Sequence, residues 1–169
     1  ALSTMNFLHL REIAQVIAKE LDTTLTAQDS SQLSLIPTDN MAAYRAYHRA
    51  MEMRTADNGT IDSPEYLQAL EEAVKLDPNF TRAWAQLVNA LAFQNFSLDD
   101  PELARRTEQA LASLQALAPG SADHLAGQAA YFYYALKDYD QAHRIISQVL
   151  KMNPGYVHAL EMKVWIERR

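Results

Sequence analysis

The chain contains no cysteine, only four glycines, and no apolar run of the length a membrane helix needs. Without cysteine there are no disulfides, no thiolate metal sites and no thiol nucleophile. The compartment stays open, because reducing and oxidising environments both tolerate cysteine-free chains. The glycines, Gly59, Gly120, Gly127 and Gly155, form neither a phosphate-cradling loop nor a dinucleotide fingerprint. A membrane span takes about 20 consecutive apolar residues, so none is expected here. Positive charge is also short, with 15 basic against 21 acidic side chains and a net charge of −6. A nucleic-acid-binding surface needs clustered positive charge, so none is expected. The opening "ALSTMNFLHLREIAQ" lacks the basic start and unbroken apolar stretch of a signal peptide. It reads instead as a helix entered from something upstream.

What the chain has in quantity is helical periodicity. At 169 residues it suits one domain with a real core. Phe7, Leu10, Ile13, Ile17 and Leu21 recur three or four apart, with Arg11, Lys19 and Glu20 elsewhere on the wheel. That helix fades into "DTTLTAQDSSQLSLIPTDN", a Ser/Thr-rich linker, so residues 1–36 are expected to form an N-terminal helix and linker. Asn40 is a suitable N-cap for a helix to about residue 54. After "TADNGTID" the chain restarts with Ser63 as N-cap and Pro64 at the first helical position, and Asp100 with Pro101 repeats the device. Further helices fit 81–96, 121–136, 139–152 and 156–168. No segment alternates as a sheet-forming strand does. The expected fold class is all-α.

Three stop-and-restart signals organise the chain: "KLDPNFTRAWAQL", "QALAPGSADHLAG" and "QVLKMNPGYVHAL". Proline lacks an amide hydrogen and clashes with the preceding turn, so Pro78, Pro119 and Pro154 each end a helix. They are separated by roughly 41 and 35 residues, near a repeat of about 34. A helical hairpin of that size cannot bury its apolar face alone, so neighbours must stack into a solenoid.

On these residues the chain resembles the tetratricopeptide repeat (TPR) family, whose pattern runs W-x2-L-G-x2-Y, then A-x3-F, then P. In the second unit Trp84, Leu87 and Leu91 fall at the pattern's Trp, Leu and Tyr, with Val88 in place of the small Gly. In the third, Ala129, Ala130 and Tyr133 fit, followed by Tyr139, Ala142, Ile146 and Pro154. The first unit matches through Leu70, Ala73 and Pro78. Thr107, standing where Ala is usual, and the loops "TADNGTID" and "SLDDP" depart from the pattern. The resemblance implies a TPR domain over 37–169, with units at about 40–78, 81–119 and 121–154 and a half-repeat helix at 156–169. The arrangement "FLHLREIAQVIAKEL", "PTDNMAAYRAYHRA", then repeats is also similar to the C-terminal region of bacterial regulators with a TolB-like module. In those, a CadC-type winged-helix domain or an adenylate cyclase domain lies further upstream. That likeness implies the regulatory or sensory arm of a larger protein, in bacterial cytoplasm or periplasm according to the upstream domain.

Catalytic arrangements are scarce. His9, His48, His124, His143 and His158 fall on different expected helices, and none forms a close metal-binding pair. A structural or solvated role is the commoner reading of such histidines. Glu71-Glu72 and Asp99-Asp100 suit acid–base work in principle, but helix faces and N-caps account for them more simply. No serine sits in a nucleophile elbow. No enzyme, metal or cofactor is expected.

In the TPR family the first helix of each pair lines a concave groove. Counted from inward-packing Trp84, Leu87 and Leu91, the resemblance aims Arg82, Gln86, Asn89 and Phe93 at that groove. The third unit contributes His124, Gln128, Tyr131 and Tyr134. Together they would make a polar and aromatic trough for an extended or helical peptide. The competing reading packs Phe93, Tyr131 and Tyr134 against neighbouring repeats. His124 and Gln128 replace the Lys and Arg of the family's two-carboxylate clamp, so that specificity is not expected. In the first unit, one register exposes Arg45 and Arg49 and another exposes Tyr47 and His48. The last helix is apolar around much of its circumference through Met162, Trp165 and Ile166 besides its packing face. Exposure of Trp165 or Ile166 is therefore expected, and with it an alternative function, homodimerisation through the C-terminal helix.

Overall fold

The computed structural model describes residues 38–55, 61 and 63–168. The expected N-terminal helix and linker lie outside the described residues. Within these residues the protein is all-helical, with no strand. The elements are α1 (Met41–Thr55), α2 (Pro64–Leu76), α3 (Thr81–Leu98), α4 (Pro101–Leu117), α5 (Ala122–Ala130), α6 (Tyr139–Met152) and α7 (Val157–Glu167). A π-helical turn, Tyr131–Ala135, follows α5.

Five of the seven described helices start where a short polar side chain accepts from unpaired amides, while α3 and α7 start at Phe80 and Tyr156 without a side-chain cap. Asn40 Oδ1 accepts from Ala42 N and Ala43 N, while its Nδ2 donates to Leu76 O at 2.7 Å, so one side chain caps α1 and the end of α2. Ser63, Asp100, Ser121 and Asp138 cap α2, α4, α5 and α6 in the same manner. The three proline turns share one hydrogen-bond pattern. Asp77, Ala118 and Asn153 donate to Ala73, Leu114 and Val149, and three residues on Phe80, Ser121 and Tyr156 donate back to Asp77, Ala118 and Asn153. The recurrence seen in sequence is thus a recurrence of backbone geometry.

Helices pack as successive pairs, α1 on α2, α3 on α4 and α5 on α6, with α7 against α6. Between pairs, α3 lies on α5 and also touches α2 and the π-helical turn. Covered on so many sides, α3 buries Ala83, Ala85, Ala90 and Ala92 beside Leu87, Val88 and Leu91. The alanines let neighbouring backbones approach. Gly127 on α5 serves the same end: a Cβ there would stand 3.0 Å from Leu114 Cδ2 and 3.7 Å from Val88 Cβ. The bulk of Val88, where the repeat pattern has glycine, is therefore met by a glycine on the next pair.

One apolar cluster joins α1 to α4 around Tyr66, Leu70, Phe80 and Leu91, and another joins α5, α6 and α7 around Ile146, Val149 and Met162. Two expectations change. The helix expected over 121–136 gives up α-helical hydrogen bonding at Ala130, where Leu136 N reaches back to Tyr131 O. The widened turn carries Tyr131, Phe132, Tyr133 and Tyr134, with Tyr133 edge-on to Tyr139 at 5.2 Å. Trp84, expected to pack inward, is only half-buried and donates Nε1–H to Pro78 O at 2.9 Å.

Candidate functional site

Arg82, Gln86, Asn89 and Phe93 lie on one stripe of α3, because steps of four, three and four residues return to nearly the same helical angle. The expectation held them in an open trough. Gln86 and Asn89 are instead buried, Asn89 at 2 % exposure, and His124 is buried too. For Gln86 and Asn89 the physical reason is the central position of α3, packed against α2, α4, α5 and the π-helical turn. Gln86 Oε1 accepts from the Tyr66 hydroxyl at 3.5 Å. His124 Nδ1 accepts from Gly120 N at 3.0 Å, a local bond that closes the α4–α5 turn. Burial lowers its pKa, so it stays neutral.

At the start of this stripe stands a charged junction. Arg82 Nε donates to Asp123 Oδ1 at 2.6 Å, and its guanidinium lies over the Tyr156 ring at 4.5 Å. Asp123 also accepts from Thr81 Oγ1 at 2.7 Å and from the Tyr156 hydroxyl at 2.8 Å. The Tyr156 phenol is buried, which raises its pKa well above the ordinary range and keeps it a donor.

A second junction brings α1 to α7. Arg54 Nη2 reaches both oxygens of Glu161, at 2.8 and 2.6 Å, and Arg54 Nη1 lies 3.4 Å from His158 Nδ1. A guanidinium only donates, so this contact is a hydrogen bond in the tautomer that has Nδ1 as acceptor and the proton on Nε2. Glu161 Oε2, at 3.7 Å from Nδ1, is too far to compete for hydrogen bonding. Burial lowers the pKa of His158, with Arg54 and Arg82 adding to the effect, so the ring is neutral. Tyr66 stands beside Arg54 and Glu161, and its hydroxyl leads back to Gln86 on α3.

Two buried side-chain atoms on these elements have no hydrogen-bond partner among the described residues: Asn89 Oδ1 and His158 Nε2. One is an acceptor and the other, in that tautomer, a donor. An unpaired buried polar atom costs about 1–3 kcal/mol, so each needs a reason. Sequence periodicity located Asn89 but not its burial; nothing in the sequence signalled Arg54, His158 or Glu161, because their meeting spans more than a hundred residues.

The remaining site candidates divide. Phe93 meets Tyr134 edge-on at 5.3 Å, and Tyr131 donates its hydroxyl to Glu108 at 3.1 Å. Those contacts match the reading in which the aromatics pack between pairs. Gln128 is partly buried on α5. In α1, Ala43, Ala46 and Ala50 are buried, which leaves Arg45, His48 and Arg49 exposed, while Tyr47 packs on Phe80 at 5.0 Å. Glu71 pairs with Arg106, Glu72 with Arg49, and Asp100 caps α4, so these acids have structural partners. Thr107 is fully buried and returns its hydroxyl to Leu103 O at 2.7 Å. Among the described residues no group of three metal-ligating side chains comes together, and no helix is long and apolar enough to cross a membrane. Compared with family models, curated proteins and solved structures, the chain matches none.

Proposed function

We propose that the chain is a non-catalytic protein-interaction module. In this reading its three helix pairs form a TPR-type solenoid, with α7 as the first helix of a further half-repeat. Support comes from the shared geometry of the three proline turns and from the packing of α3 on α5. The observation that carries the binding reading is the pair of buried, unpartnered atoms, Asn89 Oδ1 and His158 Nε2. A peptide group offers an N–H to the first and a C=O to the second. Arg82 and Gln86 share the helix stripe of Asn89, and Tyr47 lies near Arg82. The regulatory or sensory role within a larger bacterial protein rests on the resemblance in the chain's layout.

The test is selection of peptides from a displayed library on the immobilised protein, followed by affinity measurement with Asn89→Leu. Peptides bound through this face should lose about 10-fold or more in affinity, the worth of one hydrogen bond in a dry site. No enrichment over a bare surface, or equal affinity for the variant, would refute the reading.

A second reading, self-association, has its own observation. Val157, Leu160, Val164 and Trp165 leave an apolar strip of α7 exposed, with Trp165 at 59 %. Sedimentation at increasing concentration separates the two, since a peptide-binding monomer keeps its mass.

A further inference from the structure

Glu161 stands between two basic groups. Both of its oxygens accept from Arg54 Nη2 of α1, at 2.8 and 2.6 Å, and its Oε2 lies 3.7 Å from Nδ1 of His158, three residues earlier on α7. The first contact crosses between helices and the second stays within one. His158 also faces Arg54 directly, with Nη1 3.4 Å from Nδ1. A neutral ring can accept there and a protonated one cannot, because imidazolium and guanidinium both only donate. Protonation would set two cations side by side where His158 is 9 % exposed and the Arg54 side chain 14 %. Such like charges repel more than they would in water. Glu161 is the carboxylate at hand to answer the new charge. Tyr66 of α2 is kept neutral by burial, and Arg82 of α3 is already held by Asp123 of α5. His124 of α5 is turned to Gly120 N. Glu167, on the opposite side of α7, lies 3.9 Å from His143 of α6 in an exposed pair. Helices α1 and α7 are not among the pairs that pack closely, so side chains make this junction and side chains can rearrange it.

We propose that the α1–α7 junction is a pH-sensitive clasp, in which Glu161 holds Arg54 while His158 is neutral and turns to His158 when the ring is protonated. The first state ties the first described helix to the last. The second pairs α7 within itself and loosens it from α1. Burial, with Arg54 and Arg82 adding to it, delays protonation of the folded ring until the pH falls below the ordinary imidazole value. The clasp is therefore closed at neutral pH and opens in acid. His143 acts in the other sense, since its protonation strengthens the pair with Glu167 that joins α7 to α6. Acid thus frees α7 from α1 while α7 stays seated on α6. The clasp stands whether or not the protein binds a peptide.

Two measurements test it. Imidazole resonances followed through a pH titration, with His158 assigned from His158→Gln, give the midpoint of its ring. Arg54→Gln should raise that midpoint by removing the opposing cation, and Glu161→Gln should lower it by removing the acceptor. Shifts in the same direction, or none, overturn the exchange of partners. So does a ring that takes up its proton only as helical circular dichroism is lost. The second measurement uses the absence of cysteine. Nitroxides at Glu52→Cys on α1 and Val164→Cys on α7, both exposed positions, report the separation of the two helices by pulsed electron resonance. The clasp predicts a longer distance population at about pH 5 than at about pH 7.5, with helical circular dichroism unchanged. His158→Gln should abolish that response. Superimposable distributions at the two pH values overturn the clasp, as does a response that His158→Gln retains. This arm decides the matter should a variant at Arg54 or Glu161 fail to fold.

Discussion

Arg82 donates its Nε–H to Asp123 Oδ1 at 2.6 Å, tying α3 to α5. Asp123 accepts from Tyr156 as well, so one carboxylate organises three elements. Asp123→Ala would strand a partly buried guanidinium and a buried phenol. The expected loss is about 2–4 kcal/mol, measured by urea denaturation. Glu102→Gln, at the fully exposed pair with Arg105, should leave the midpoint where it was. Equal effects at the two sites would mean that the Asp123 junction is dispensable.

Acid should weaken the fold through His158. Its folded-state pKa lies below the ordinary imidazole value because the ring is buried, with Arg54 and Arg82 nearby; Glu161 pulls the other way. The unfolded chain then binds the proton more readily than the folded one. The stability this group contributes is full above about pH 6.5 and is lost as pH falls through its depressed value. Burial lowers the pKa of His124 too, so its contribution has the same sign. Melting temperature should decline between about pH 7 and 5, less steeply in His158→Gln. An unchanged slope in that variant would assign the acid sensitivity elsewhere.

Gly127 lies where α5 packs close against Leu114 of α4 and Val88 of α3. An added methyl at 3.0 Å from Leu114 Cδ2 requires that side chain to move. Alanine gains helix propensity, about 1 kcal/mol, and overpacking costs typically 1–3 kcal/mol. Gly127→Ala should therefore be destabilising by about 1 kcal/mol, and Gly127→Val by more. Gly155→Ala, with 3.7 Å to its nearest neighbour, is the matched control and should be close to neutral.

Asn89→Leu should stabilise the isolated protein. The substitution keeps the branched shape at a somewhat larger volume and removes a buried oxygen that has no partner among the described residues. A gain of about 1 kcal/mol in unfolding free energy is expected. A loss instead would mean that Oδ1 is hydrogen-bonded in solution.

The two tryptophans should report different surroundings. Trp165 is 59 % exposed, while Trp84 is half-buried with its Nε1–H on Pro78 O. Trp165→Phe should shift the emission maximum to the blue and reduce quenching by acrylamide. If emission in the unsubstituted protein turns blue as concentration rises, α7 is covered by a second copy.

Much of the architecture was legible in the chain because it is locally encoded. Asn40, Ser63 and Asp100 sit at helix starts where their side chains accept from backbone amides a few residues on. Pro78, Pro119 and Pro154 stop helices for reasons that belong to the proline ring. The apolar excess of 156–168 likewise announced an exposed Trp165. The π-helical turn at Tyr131–Ala135 was not legible, since its residues suit an α-helix equally and packing of the tyrosines decides the difference.

The site candidates divide along the same line. Spacing alone puts Arg82, Gln86, Asn89 and Phe93 on one face of α3, because helical angle depends only on residue number. Whether that face is open depends on what stands opposite it. Tertiary structure set Tyr66 of α2 beside Gln86, and Arg54 of α1 against Glu161 of α7. Periodicity within a helix carries no information about partners a hundred residues away, so the sequence by itself determined the helices, most of their ends and the residues that share a face. Only the packing of the pairs decided which polar side chains were buried and which two of their atoms have no partner among the described residues.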